Sequence, residues 1–186
     1  MTRPVDRAGG IRDRPEGSSV RIAVVVGNPK PGSRTLGVAT AVAGTLAAEL
    51  GVAGSHLVVD LAEHASDLFD WGAPRLSQLT AEVAAAGLIV AASPTYKATY
   101  TGMLKAFFDR YGSNGLAGSV AVPLMTGGAP IHALAVEVHL RPLLVELGAA
   151  VPSRGLYVTE PEFPDLKAPV ARWAETAVPL LRRALA

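Results

Sequence analysis

"RIAVVVGNPKPGSRT", residues 21–35, is the stretch whose reading decides the fold. Residues 22–26 are apolar without alternation, as a strand covered on both faces should be. Gly27 ends that run, and Pro29, Pro31 and Gly32 hold the backbone away from helix and strand alike. From Thr35 to Leu50, alanine, valine and leucine recur at helical spacing, and Gly51 stops the pattern. Buried strand, irregular loop, helix: that order opens a strand–helix–strand unit.

The alternation continues along the chain. "SHLVVDL" (55–61) reads as a second strand, followed by an acidic, aromatic loop through Trp71. "PRLSQLTAEVAAAG" (74–87) is a helix with Pro74 at its start and Gly87 at its end. "LIVAAS" (88–93) is a third buried strand, "TGMLKAFFDRYG" (101–112) a helix, and "SVAVPLMTGG" (119–128) a fourth strand. "IHALAVEVHLRPLLVELGA" (131–149) predicts one long helix, and "GLYV" (155–158) a fifth strand. The last helix, 166–186, contains Pro179, where a bend or an interruption is expected. Five strands alternating with helices predict an α/β protein, an open doubly wound parallel sheet with three α/β/α layers and right-handed crossovers.

The chain has 186 residues, 49% hydrophobic and 18% charged, which suits one globular domain over 21–186. Residues 1–20 mix Arg, Asp, Gly and Pro without an apolar core, predicting a disordered tail rather than a secretory signal. A net charge of +1 with no basic run argues against nucleic acid as the partner. No stretch approaches the ~20 apolar residues of a membrane span, so a cytoplasmic protein is expected. The chain has no cysteine, which excludes disulfides and thiolate chemistry.

In a doubly wound sheet, ligands bind outside the carboxyl ends of the strands where strand order reverses. Three loops at such ends have unusual chemistry: "GNPKPGSRT" after strand one, "SPTYKATYTG" after strand three and "TGGAPIH" after strand four. In the first, free N–H groups at the helix start, with Ser33, Thr35 and cationic Arg34, form a receptor for phosphate. Gly27 and Gly32 have the spacing of a nucleotide-triphosphate loop, but Ser33-Arg34 stands where that loop needs Lys and then Ser or Thr. The G-x-G-x-x-G dinucleotide fingerprint is absent too. The loop therefore suits a terminal phosphomonoester. In the second loop, Pro94, Thr95, Tyr96 and Lys97 offer backbone donors, an aromatic edge and a cation to a planar ligand. In the third, Thr126, Gly127 and Gly128 allow close backbone approach. His56, His64, His132 and His139 lack ligand-like spacing, and no metal is expected.

Taken together, "GNPKPGSRT", "SPTYKATYTGMLKAFFD" and "LMTGGAPIHALAVEVHLRPLLVEL" resemble the NAD(P)H-dependent FMN reductases of flavodoxin-like fold. They are most similar to the reductase components of two-component alkanesulfonate monooxygenases, which carry "GSPxxxSR[ST]", "SPxYKAxYxGxLKxxxD" and "LxTGGxxxHxLAVxxxLxPxLxxL". The likeness covers about residues 22–148. It implies that Asn28, Ser33, Arg34 and Thr35 hold the FMN phosphate, that Pro94 to Lys97 line the isoalloxazine, and that Thr126, Gly127 and Gly128 close its other edge. Lys97 would offset charge on a reduced ring. NADH or NADPH would be the hydride donor, and no general acid or base is required of the protein.

The chain departs from that pattern at two places. Asn28 replaces the more usual serine while keeping a donor and an acceptor. Val138 and His139 stand where such reductases can carry an inserted tyrosine in a π-bulge, and a bulge is plausible here because Pro142 removes a backbone donor. The resemblance further implies a homodimer or homotetramer, small-molecule substrates and a flavin-dependent monooxygenase as partner. The apolar residues Phe107, Phe108, Leu140, Leu143 and Leu144 are expected to leave a stripe for the subunit interface. Tyr96, Tyr100, Trp71 and His139 are the candidate aromatic neighbours of the flavin. Alternatives are an FMN-holding reductase of quinones, azo dyes or metal oxyanions, and a non-enzymatic flavodoxin-like electron carrier. The near-neutral charge and Lys97 speak against the carrier.

Overall fold

The computed structural model describes residues 20–186, so the expectation for the 1–20 tail lies, but for Val20, outside the described residues. Five strands form one parallel sheet: β1 (Arg21–Val26), β2 (Leu57–Asp60), β3 (Gly87–Pro94), β4 (Val120–Gly127) and β5 (Leu156–Thr159). Their order is β2-β1-β3-β4-β5, the flavodoxin-like arrangement whose switch point lies between β1 and β3. The helices are α1 (Arg34–Leu50), α2 (Pro74–Ala84), α3 (Gly102–Phe108), α4 (Arg141–Glu146) and α5 (Lys167–Leu185).

The unalternating strands are explained by two cores, one on each face of the sheet. Ile22, Val24 and Val26 of β1 pack with Val38, Val42 and Leu46 of α1 and Val178 and Leu181 of α5. Ala23 and Val25 point the other way, into a cluster with Leu76 and Leu79 of α2, Phe107 and Phe108 of α3, and Leu144 of α4. Successive strand residues face opposite layers, so every residue of β3 is buried.

The expected long helix over 131–149 is broken into three. A short 3₁₀ turn spans Pro130–His132, a π-helix spans Val136–Leu140, and α4 follows directly. The Arg141 N–H bonds the Val136 carbonyl five residues back. Pro142 cannot donate to the carbonyl of residue 138, so the wider turn costs no bond there. By contrast α5 runs through Pro179 without interruption. The burial of Ala177, Val178 and Leu181 against the sheet outweighs the lost hydrogen bond.

The interface expectation needs correcting at the level of residues. Phe107, Phe108, Leu140 and Leu144 are fully buried in the chain's own core and Leu143 is half-buried against it, because α3, the π-turn and α4 aim them at the sheet. The apolar side chains left outside on the 131–146 segment are Ile131, Leu134, Val138 and Val145.

Candidate functional site

The site is built from the carboxyl end of β1 outward. An added Cβ on Gly27 would lie 2.4 Å from Leu104 Cβ, so only glycine lets α3 settle against the loop. Thr101 caps α3: its hydroxyl donates to the Gly27 carbonyl at 2.5 Å and accepts from Leu104 N–H at 3.1 Å. Beyond Gly27 the chain turns through Gly32, whose φ of 61° favours glycine. Ser33 then caps the 17-residue α1, accepting from Leu36 N–H at 3.2 Å.

Side chains lock this loop. Asn28 Oδ1 accepts from Lys30 N–H at 2.9 Å, and Asn28 Nδ2 donates to Thr35 Oγ1 at 3.2 Å. Thr35 Oγ1 and Thr126 Oγ1 are hydrogen-bonded at 2.8 Å, tying the first loop to the third. The buried carboxylate of Asp60, at the end of β2, accepts from Gly32 N–H at 3.0 Å and Ala62 N–H at 3.3 Å. On the rim, Arg34 Nη2 donates to Glu160 Oε1 at 2.9 Å, and its guanidinium stands 4.9 Å from the centre of the Phe163 ring.

The second loop is a tight turn. Tyr96 and Thr99 exchange both backbone hydrogen bonds, with Lys97 and Ala98 between them at φ 51° and 65°. The Thr95 N–H bonds the Thr126 carbonyl at 2.7 Å, while the buried Thr95 Oγ1 has no partner. In the third loop a Cβ on Gly127 would meet Tyr157 Oη at 2.0 Å. That tyrosine donates to the Ala129 carbonyl at 3.2 Å.

Together these segments enclose a cavity of about 470 Å³, lined among others by Asn28, Ser33, Arg34, Thr35, Pro94, Thr95, Tyr96, Thr126, Gly127 and Gly128. Its size is that of a small-molecule or cofactor site. Lys97 is the one expected site residue that does not line it: the turn points Lys97 into solvent. Trp71, Tyr100 and His139 do not line it either; Trp71 lies in the loop after β2, with its carbonyl and ring both against Arg110.

Sequence reasoning missed Lys30, Gly32, Glu160 and Phe163 among the lining residues, and Asp60 behind them. Position offered the available signal: Asp60 and Glu160 stand at the carboxyl ends of β2 and β5, the edge where such sheets bind ligands.

The cavity fits FMN. A capped helix start with cationic Arg34 and Lys30 suits a phosphate at one end. At the other end, an orphaned hydroxyl at Thr95 and the bare backbone of Gly127 and Gly128 suit the polar edge of a flat ring. Among the described residues, no group of His, Asp or Glu is placed to hold a metal ion, and no helix is long and apolar enough to cross a membrane.

Comparison with known proteins gives the family. The family of NADPH-dependent FMN reductases matches residues 20–162, and the chain belongs to it. It is therefore an NAD(P)H:FMN oxidoreductase, transferring hydride from a reduced nicotinamide to FMN. It is 34% identical to the NADH-dependent FMN reductase SfnF of Pseudomonas fluorescens, across 86% of this chain and 90% of that protein. It is 30% identical to an FMN reductase (NADPH) of Pseudomonas aeruginosa, across 88% and 93%. The apo structure of the NADH:FMN oxidoreductase EmoB superposes with a TM-score of 0.79 at 26% identity, covering 90% of this chain and 91% of that one.

Proposed function

We propose that the cavity between the loops at 27–35, 94–97 and 126–128 is where the protein binds FMN, and that the reduced flavin is passed to a flavin-dependent monooxygenase. The observation that carries the binding site is the convergence of ten of the eleven expected residues on one cavity, Lys97 alone lying outside it. In this reading Asn28, Ser33, Arg34 and Thr35 hold the phosphate. Pro94, Thr95 and Tyr96 line the isoalloxazine, and Thr126, Gly127 and Gly128 close its opposite edge. FMN, once bound, supplies the hydride-accepting centre; the side chains orient it and leave the nicotinamide a face to stack on.

The monooxygenase partner is supported by the likeness of the three motifs to reductases of two-component systems. A homodimer or homotetramer is supported by Ile131, Leu134, Val138 and Val145, which leave an apolar stripe on the 131–146 segment. Light scattering in the presence of FMN tests it, and a monomer contradicts it. A cytoplasmic location is part of the same reading.

The deciding experiment follows NADH and NADPH oxidation by the purified protein with and without added FMN. Oxidation that depends on added FMN supports a reductase that releases its flavin. A protein that arrives yellow and turns over without added FMN holds flavin as a prosthetic group, and the hand-over to a partner then fails.

A further inference from the structure

Two carboxylates stand at the carboxyl end of β5, and their environments assign them different work. Glu162 is spent on the backbone. Its Oε2 accepts from the Thr159 N–H at 2.8 Å and from the Thr159 hydroxyl at 2.7 Å, and its Oε1 lies 3.6 Å from Arg172. That reciprocal cap fixes the 3₁₀ turn Glu160–Glu162. Glu160 takes no part in the capping. It lines the cavity, and its Oε1 accepts from Arg34 Nη2 at 2.9 Å. Phe163, on the same turn, lies under the guanidinium. The cation offered to the phosphate is therefore already held by a carboxylate and an aromatic ring carried on a rigid turn.

We propose that Glu160 is a specificity-determining residue that competes with the flavin phosphate for Arg34 and so keeps FMN exchangeable. This rests on the reading that the phosphate sits at the 28–35 loop. A phosphomonoester entering the loop must draw the guanidinium away from Glu160 or share it, so part of the new contact is cancelled by the old one. A flavin without phosphate meets no such competition. The pair is exposed on both sides, which limits the competition to the modest range of surface ion pairs. The effect is a graded loosening suited to a flavin that must leave.

Glu160→Gln tests this, because it keeps the side-chain length and an acceptor for Arg34 while removing the charge. FMN and riboflavin dissociation constants are read from flavin fluorescence on the full chain, and FMN release from stopped flow. The expected result is FMN binding tighter by about two- to fivefold, slower FMN release, and riboflavin affinity unchanged. In an Arg34→Ala background most of that gain should vanish. FMN affinity that is unchanged or weaker in Glu160→Gln overturns the proposal, as does an equal gain with riboflavin or a full gain without Arg34. Wild-type protein that binds FMN no tighter than riboflavin overturns the phosphate-loop reading itself. A wild-type preference for FMN with no response to Glu160→Gln overturns the competition alone.

Discussion

The hydroxyls of Thr35 and Thr126 lie 2.8 Å apart across 91 residues of chain, joining the first turn of α1 to the last turn-ward residues of β4. Both side chains are buried, so the bond is shielded from water and ties the two loops together. Thr126→Val keeps the shape and removes the partner. It should cost about 1 kcal/mol, lowering Tm by about 2–4 °C for a domain of this size. Thermal unfolding of Thr126→Val and Thr126→Ser checks it: the serine, which keeps the hydroxyl, should recover most of the loss, along with FMN affinity.

Gly127 is demanded by a neighbour rather than by backbone conformation. Tyr157 Oη occupies the place a Cβ would take, 2.0 Å away. Gly127→Ala should therefore displace Tyr157 or the loop and weaken FMN binding. Removing the obstructing oxygen with Tyr157→Phe should restore part of that affinity in the double variant. A double-mutant cycle of FMN titrations measures it, and strict additivity would show that the clash is not the cause.

The fold was legible because β1, β3 and β4 are continuous apolar runs, each ended by glycine or by the proline of a loop. The main site loops were legible for the same reason: Gly27, Pro29, Pro31, Gly127 and Gly128 interrupt strong patterns. Glu160 and Asp60 were not, since a single acid at or just past the end of a short strand has the look of any solvated turn residue. Their importance comes from what the sheet order sets beside them, Arg34 for one and Gly32 for the other. The break of the 131–149 helix was legible in part: Pro142 and the pattern at Val138 and His139 pointed to a π-bulge, which the chain forms at Val136–Leu140, while its bounds and the 3₁₀ turn before it were not. A π-turn shifts the hydrogen bonds by one residue but leaves an apolar pattern that still reads as helical. At Pro179 the expected alternative of an interruption does not occur: α5 continues, with Val178 and Leu181 packed against the sheet.

The π-turn is held by an ion pair with a pH signature. Glu137 Oε2 accepts from Arg141 Nε at 2.5 Å, and its Oε1 accepts from Gly155 N–H at 2.7 Å. Arg141 also donates to the carbonyls of Val151 and Ser153, binding the turn to the β4–β5 connection. Burial pushes the Glu137 carboxyl up, but the Arg141 hydrogen bond, the Gly155 N–H and the charges of Arg141 and Arg154 outweigh it and hold it below its ordinary value. A carboxyl depressed in the folded state contributes stability above its unfolded pKa, about 4.3, and loses it as pH falls through the folded value. Glu137→Gln should therefore be less stable than wild type at neutral pH, with a margin that shrinks below about pH 4. Urea unfolding at a series of pH values checks it; a margin independent of pH would mean that the charge is not what holds the turn.

The aromatic inventory of the cavity bears on how hydride is delivered. Of the four aromatic neighbours considered from the sequence, Tyr96 alone lines the cavity, and Phe163 joins it at the Arg34 end. In the proposed binding mode, with the phosphate at 28–35, Phe163 lies beside the phosphate, and Tyr96 is the one aromatic residue among the described residues that lines the ring end between 94–96 and 126–128. A ring seated there is not sandwiched between two aromatic side chains of the same chain, as it would be in a carrier built to shield it. The proposed binding mode leaves one face for the nicotinamide to stack against, and a stacked pose presents one of the two C4 hydrogens to the flavin. Stopped-flow reduction with NAD(P)H deuterated stereospecifically at C4 should accordingly be slowed by deuterium at one position and not at the other. Equal slowing from both positions would mean that the nicotinamide is not held in a single pose, and the cavity described would then not be the place where hydride is transferred.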